Sequence, residues 1–351
     1  MRLAIIGAPQ SGKTTLFNAL SGQDVAVGDF SRTEHRAVIK VPDERVENLG
    51  EIEKSKKITH AEMEFLDTAG FSGKGKEATG EISSTHDLKL VDAFVIVLDQ
   101  FSDGANPERD LNSIIDEMIL ADLVHIEENI ERLSKKMQLT GKKDRARELE
   151  ILKMCREALN EEKLISEMGL DPTDEKTIRG YTFLSLKPQI AVFNISEDLV
   201  DKTEELREKY AKYRLENIRD ISIICGKLEM ELAQLPDEEK REFLNELGIK
   251  APAIERFVQI SYNLLGLISF LTVGPPESRA WTIRKGTNAV KAAGTIHTDF
   301  ERGFIKAEVT SYEDYMTHKS MAALKAAAKL HLEGRDYIVR DGDVILFRFN
   351  L

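Results

Sequence analysis

At 351 residues, with 42% apolar and 31% charged side chains, the chain is too long for one ordinary domain and has a globular balance. No run approaches the ~20 apolar residues of a membrane span, and a net charge of −12 argues against broad nonspecific affinity for nucleic acid. Cys155 and Cys225 lie far apart without metal-ligand spacing, which fits a reducing cytoplasm.

The N-terminus itself reads as the first strand, Leu3-Ala4-Ile5-Ile6, so no signal peptide is expected. Gly7-Ala8-Pro9-Gln10-Ser11-Gly12-Lys13-Thr14 follows and fits G-x-x-x-x-G-K-[ST], the phosphate-binding loop. Leu16, Ala19 and Leu20 then recur at helical spacing. Strand, glycine-bearing turn and helix start are the context this motif needs. Its N–H groups and the positive helix N-terminus grip phosphates. The nucleotide-binding candidates here are Pro9, Gln10, Ser11, Gly12, Lys13, Thr14 and Thr15. Lys13 would reach the outer phosphates, and the Thr14 hydroxyl would hold Mg2+.

Residues 23–36 are polar and irregular, a switch placed over the phosphates, where Ser31 or Thr33 could complete the magnesium shell. Residues 38–41 and 63–66 read as strands, the second ending in Asp67-Thr68-Ala69-Gly70. Asp67 would order the metal, possibly through water, and the Gly70 N–H would meet a terminal phosphate. A water-orienting glutamine normally follows D-x-x-G; Phe71 stands there, so slow intrinsic turnover is expected. His86, in the polar stretch beyond, reads first as a solvated loop histidine. Residues 94–98 form an unbroken apolar strand, as parallel sheets require.

From Leu111 the period changes. Apolar residues at 111, 115, 119, 123, 126, 130, 133 and 137 predict a long helix, Gly141-Lys142-Lys143 breaks it, and a second helix resumes at Ala146. The pair reads as an antiparallel coiled-coil hairpin. Arg132, Lys135, Lys136, Lys142, Lys143, Arg145 and Arg147 cluster at its tip, opposed there only by Asp144, which points to a docked partner or a solvated face. The sheet resumes at residues 189–193 and leads into Asn194-Ile195-Ser196-Glu197. Phosphate-loop GTPases carry N-K-x-D in this slot, so guanine is not to be assumed. Residues 221–224 form another strand, and the backbone at Cys225 and Gly226 could touch the base edge.

Pro275-Pro276 reads as the last boundary. Strands at 280–283, 305–309, 337–339 and 344–349, with helices at 288–297 and 321–330, fit a ubiquitin-like β-grasp unit, with Trp281 in its core. The expected fold class is α/β. A P-loop nucleotide-binding domain with a mostly parallel sheet (1–114 and 180–272) carries an inserted helical hairpin (115–179), followed by the C-terminal domain (273–351).

These landmarks together resemble the YchF family, the Obg-like ATPases of the TRAFAC class. The likeness rests on the phosphate loop, the D-x-x-G, N-x-x-E in place of N-K-x-D, and the central hairpin. Its most specific part is Arg279-Ala280-Trp281-Thr282-Ile283, the run from His297 to Ile305, and Gly334 to Phe349, similar to that family's TGS domain. The resemblance implies a cytosolic, ribosome-associated protein that prefers ATP to GTP, with the hairpin tip and TGS domain meeting the ribosome or its RNA. A monomer is expected, with no membrane partner. By the same similarity Ile195 would give main-chain contacts to adenine, Glu197 would replace the guanine-reading acid, and Ser31 falls on the switch threonine. A histidine proposed for hydrolysis in the family falls on Ile96 here. Three readings stay open: a slow ATPase switch, an ATP-gated binding module with negligible hydrolysis, and a GTPase with relaxed base recognition.

Overall fold

The computed structural model describes residues 1–25, 35–68, 88–140, 145–213, 218–249 and 251–350. Ser31, Thr33, Gly70, Phe71, His86, Lys142 and Lys143, singled out above, lie outside the described residues. By packing, the chain divides into two units, residues 1–37 with 64–254 and residues 38–63 with 255–351.

The first unit is built on β1 (Arg2–Gly7), β4 (Glu62–Asp67), β5 (Ala93–Gln100), β6 (Gln189–Ile195) and β7 (Ile218–Ile224), with β2 (His35–Lys40) completing the order β2-β4-β1-β5-β6-β7. The pairs β1–β4, β1–β5, β5–β6 and β6–β7 are parallel. Such strands are covered on both faces, which is why Ile5, Ile6, Phe94, Val95 and Ile96 are fully buried. The register sets Ile5 beside Asp67, Gly7 beside Val97 and Asp99 beside Asn194. The carboxyl ends of four strands therefore share one edge, where ligands of open α/β sheets bind.

Helix α1 (Lys13–Ser21) follows β1, α2 (Glu44–Glu53) lies between β2 and β4, and the hairpin consists of α3 (Pro107–Thr140) and α4 (Ala146–Asn160). Helix α3 begins four residues before the first apolar position, because its polar opening turn is set by capping. Asn106 Oδ1 accepts from the Arg109 N–H at 3.0 Å, and Pro107 occupies the first helical position. At 34 residues it is about 51 Å long. Its first turns bury Leu111, Ile114 and Met118 in the sheet core. Farther along, Ile126 and Leu133 pack with Ile151, Leu152, Cys155 and Leu159 of α4. One rigid helix thus belongs to two cores. Where the cores meet, the buried Asp122 carboxylate accepts from the Leu184 N–H (2.9 Å), the Ser185 N–H (2.7 Å) and the Ser185 hydroxyl (2.6 Å).

The second unit carries a sheet of order β11-β10-β12-β8-β9-β3, made of β3 (Ile58–Thr59), β8 (Leu267–Thr272), β9 (Ser278–Arg284), β10 (Phe304–Ser311), β11 (His331–Glu333) and β12 (Asp343–Phe349). Pro275-Pro276 is a turn inside this sheet. β8 before it pairs antiparallel with β9 after it, and parallel with β12. The sheet's C-terminal run of strands therefore begins at Leu267, not beyond the prolines. Proline cannot continue a ladder, so it marks a turn as readily as a domain limit.

Residues 38–63 join this unit as well. Arg45 bridges Asp43 (2.8 Å) and Asp341 (2.7 Å), Asn48 donates to the Tyr312 hydroxyl at 2.9 Å, and Ser55 donates to the Gly274 carbonyl at 2.8 Å. Three further sequence expectations are corrected here. Residues 337–339 make only an isolated bridge, Asn288 to Ile338, because Tyr337 and Arg340 fold into a turn on Asp343. The helix expected at 321–330 stops at Ala326, with Ala328 in the left-handed region at φ 55°. Trp281 is half-buried at the core's edge, with the Arg279 guanidinium 4.0 Å over its ring and its indole N–H donating to Thr272 Oγ1. No helix among the described residues is long and apolar enough to cross a membrane.

Candidate nucleotide-binding site

The loop between β1 and α1 turns at Gly12, whose φ is 93° and whose missing Cβ would meet Asn194 Nδ2 at 2.0 Å. Both the dihedral and the close approach demand glycine. Gly12 is also the N-cap of α1, and no side chain caps that helix start. Pro9 and Gln10 form the exposed crest of the loop. Lys13 Nζ donates to the Gly7 carbonyl at 3.0 Å and the Ala8 carbonyl at 2.8 Å, which aims the ammonium across the loop's mouth and leaves a third N–H for a ligand.

Thr14 donates to Asp67 Oδ2 at 2.9 Å, so the two residues chosen for the metal meet although 53 positions separate them. The second carboxylate oxygen, Asp67 Oδ1, and the Ser11 hydroxyl are buried with no hydrogen-bond partner among the described residues. Burial pushes the Asp67 carboxyl above the ordinary carboxylate range, against the Thr14 hydrogen bond and the Lys13 charge. Burial likewise lowers the Lys13 ammonium, while Asp67 draws it back up. A desolvated cation and anion facing an unfilled hydrogen-bond capacity form an arrangement that a magnesium triphosphate would complete. Ser31 and Gly70 lie outside the described residues.

On the far side of the loop, Asn194 uses both ends of its amide. Nδ2 donates to the Ser11 carbonyl at 3.0 Å, and Oδ1 accepts from the Gly226 N–H at 3.0 Å. Asn194 therefore ties the phosphate loop to the turn at Cys225 and Gly226, where α5 (Gly226–Gln234) begins. A Cβ on Gly226 would lie 3.1 Å from Asn194 Oδ1 and 3.5 Å from Thr15 Cγ2, so this corner is closed tightly. Ile195 is buried at the end of β6. Glu197 stands at the solvent edge and pairs with Lys227 at 3.0 Å. Phe101, which sequence reasoning did not single out, is 42% exposed beside Gly12. An Asp99 turn, accepting from the Phe101 and Ser102 N–H groups, presents it. That Asp-Gln-Phe-Ser follows a buried strand was the available signal.

The basic hairpin cluster is less free than its sequence indicates. Lys135 pairs with Glu131, Arg145 with Glu148, and Arg147 with both Asp174 and Glu150. Asp144 is thus not its only opposing charge, since carboxylates one helical turn away or on the following helix fold onto it.

The chain is similar to known proteins over its whole length. A family model described as a 50S ribosome-binding GTPase matches residues 2–136. A second, the YchF GTPase C-terminal family, described as a protein of unknown function (DUF933), matches residues 267–350. The chain is 39% identical over 363 residues to the ribosome-binding ATPase YchF of Bacillus subtilis, covering 99% of this chain and 98% of that one. Against the ribosome-binding ATPase YchF of Pasteurella multocida it is 38% identical over 372 residues, covering 100% and 99%. The chain belongs to the YchF family. The solved Schizosaccharomyces pombe YchF GTPase superimposes with a TM-score of 0.85 at 27% identity, over 99% of this chain and 97% of that one. The YchF C-terminal match begins at Leu267, the first residue of β8.

Proposed function

We propose that this YchF-family chain binds ATP with Mg2+ and hydrolyses it slowly, as a nucleotide switch on the ribosome. The observation that carries the reading is the meeting of Lys13, Thr14 and Asp67 at the helix start, with Thr14 and Asp67 2.9 Å apart. A hydroxyl and a carboxylate are the hard oxygen donors that Mg2+ takes. Asp67 Oδ1, buried and with no hydrogen-bond partner among the described residues, fits a direct or water-mediated place in its shell. Bound there, Mg2+ would neutralise charge on the β- and γ-phosphate oxygens. Lys13 holds the outer phosphates, and the N–H groups of residues 10–15 line the rest of the triphosphate tail.

ATP is favoured over GTP because Ile195 stands where GTPases place lysine and because Glu197 is engaged by Lys227. In this reading Ile195 and the Cys225–Gly226 backbone meet the base edge, and Phe101 covers one face of the purine. Ribosome association follows from the names of the relatives, which are ribosome-binding ATPases. The hairpin and the C-terminal sheet are the surfaces proposed for it.

The test is single-turnover hydrolysis of radiolabelled ATP and GTP, with and without ribosomes. A slow ATP rate raised by ribosomes supports the switch. Equal or faster hydrolysis of GTP contradicts the base assignment, and no hydrolysis of either in both conditions reduces the protein to a nucleotide-gated binder.

A further inference from the structure

A cavity of about 420 Å³ opens at the side of the hairpin, away from the phosphate loop's residues. Its wall includes Lys89, His125, Arg132, Arg145, Glu148 and Tyr181. Among the described residues of the wall three cations face one carboxylate, and that carboxylate is already engaged: Glu148 accepts from Arg145 and from the Tyr181 hydroxyl. The Arg132 guanidinium rests on Asn129 Oδ1, a neutral acceptor. Lys89 is held in place through its backbone, since Lys187 Nζ donates to the Leu88 and Lys89 carbonyls at 2.6 and 2.8 Å.

His125 reports the field inside. Burial lowers its ring's basicity, and the charges of Lys89 and Arg132 push it further down, with Glu128 pulling the other way. Its Nδ1 is buried with no hydrogen-bond partner among the described residues, and the ring packs edge-on against Phe183 at 5.6 Å. A concave site of this size, with an excess of two positive charges among the described residues of its wall and a histidine able to take up a proton, is complementary to a compact dianion.

We propose that this cavity binds a small phosphate-bearing anion, separately from the nucleotide at the phosphate loop. Lys89 and Arg132 supply the charge, the Arg145–Glu148–Tyr181 assembly forms a fixed wall, and His125 adds a proton-dependent donor. A volume of about 420 Å³ suits a small molecule better than a polynucleotide backbone. The inference does not depend on ATP binding at Lys13.

Inorganic pyrophosphate titrated calorimetrically into the full chain carrying Lys13→Ala tests it, because that change removes the phosphate loop's own contribution. One saturable site is expected, weakened about tenfold by Lys89→Gln or by Arg132→Gln. Lys135→Gln, at a lysine already paired with Glu131 on the same helix, should leave it unchanged. The His125 ring resonance should titrate at higher pH in the saturated protein, since a nearby anion favours the imidazolium. Absence of saturable binding, indifference to both cavity substitutions, or an unmoved His125 titration overturns the proposal. Displacement of pyrophosphate by a short single-stranded RNA at equal phosphate concentration would overturn the small-molecule assignment in favour of a nucleic-acid backbone.

Discussion

Asn194 shows how one side chain can tie two walls of a site together. Its amide spans the Ser11 carbonyl and the Gly226 N–H, two loops more than 200 residues apart in sequence. Asn194→Ala leaves both groups buried and unpaired, so a loss of about 1–3 kcal/mol in denaturant unfolding is expected, together with weaker ATP binding. Wild-type stability with unchanged nucleotide affinity would remove the clamp from the account. His125 offers a second test. Its ring is less basic in the folded chain than in the unfolded one, so the unfolded state binds more protons as pH falls through the ordinary histidine value of about 6.5. Stability is then lost on the acid side, and His125→Gln should flatten the fall in melting temperature between about pH 7 and pH 5. At this scale Lys13, Thr14 and Asp67 were legible in the sequence, because a glycine-bearing turn between a strand and a helix admits few other readings. The Glu197–Lys227 pair and the Phe101 position were not, since each depends on where separate strands end.

Among the elements, α3 does most to join the site to the rest of its unit. Its first turns are core for the sheet and its later turns are core for the hairpin, so the two cannot move independently without bending it. Asp122 pins the crossover through three hydrogen bonds from residues 184 and 185. Asp122→Asn turns an amide toward donors that need an acceptor. We expect a loss of about 2–3 kcal/mol and faster amide hydrogen exchange along α4. Exchange that quickens evenly over the whole protein would instead mean that Asp122 is not a local pin. The apolar spacing of 3 and 4 gave the helices directly. It missed the opening turn of α3, whose Asn-Pro cap carries no apolar signal, and it overstated the free charge of the hairpin, because Glu150 pairs with Arg147 one turn along the same helix and Asp174 reaches Arg147 only through tertiary folding.

For the molecule as a whole, the packing units do not follow linear segments. Residues 38–63 lie early in the chain yet are bonded to Asp341, Tyr312 and Gly274. β8 precedes the diproline yet pairs with β9 and β12. A chain cut after Thr272, at the limit the prolines mark, leaves α2 and β8 without partners for Val46, Leu49, Phe270 and Leu271, all buried in the intact protein. Size-exclusion chromatography should find that fragment aggregated; a monodisperse fragment with native helicity would contradict the division. Sequence reasoning recovered the fold class because parallel strands and the helical hairpin each have their own period, while the C-terminal unit was read from its short strands and helices and from its resemblance to the TGS domain. It could not see α2 docking on strands that follow some two hundred residues later.

The central claim is that Lys13, Thr14 and Asp67 form the grip on a magnesium triphosphate. Isothermal titration of ATP with Mg2+ into the wild-type chain and into Lys13→Ala tests it most directly. Saturable one-to-one binding to the wild type that vanishes in the variant is the predicted result. Equal heats from the two proteins would contradict it.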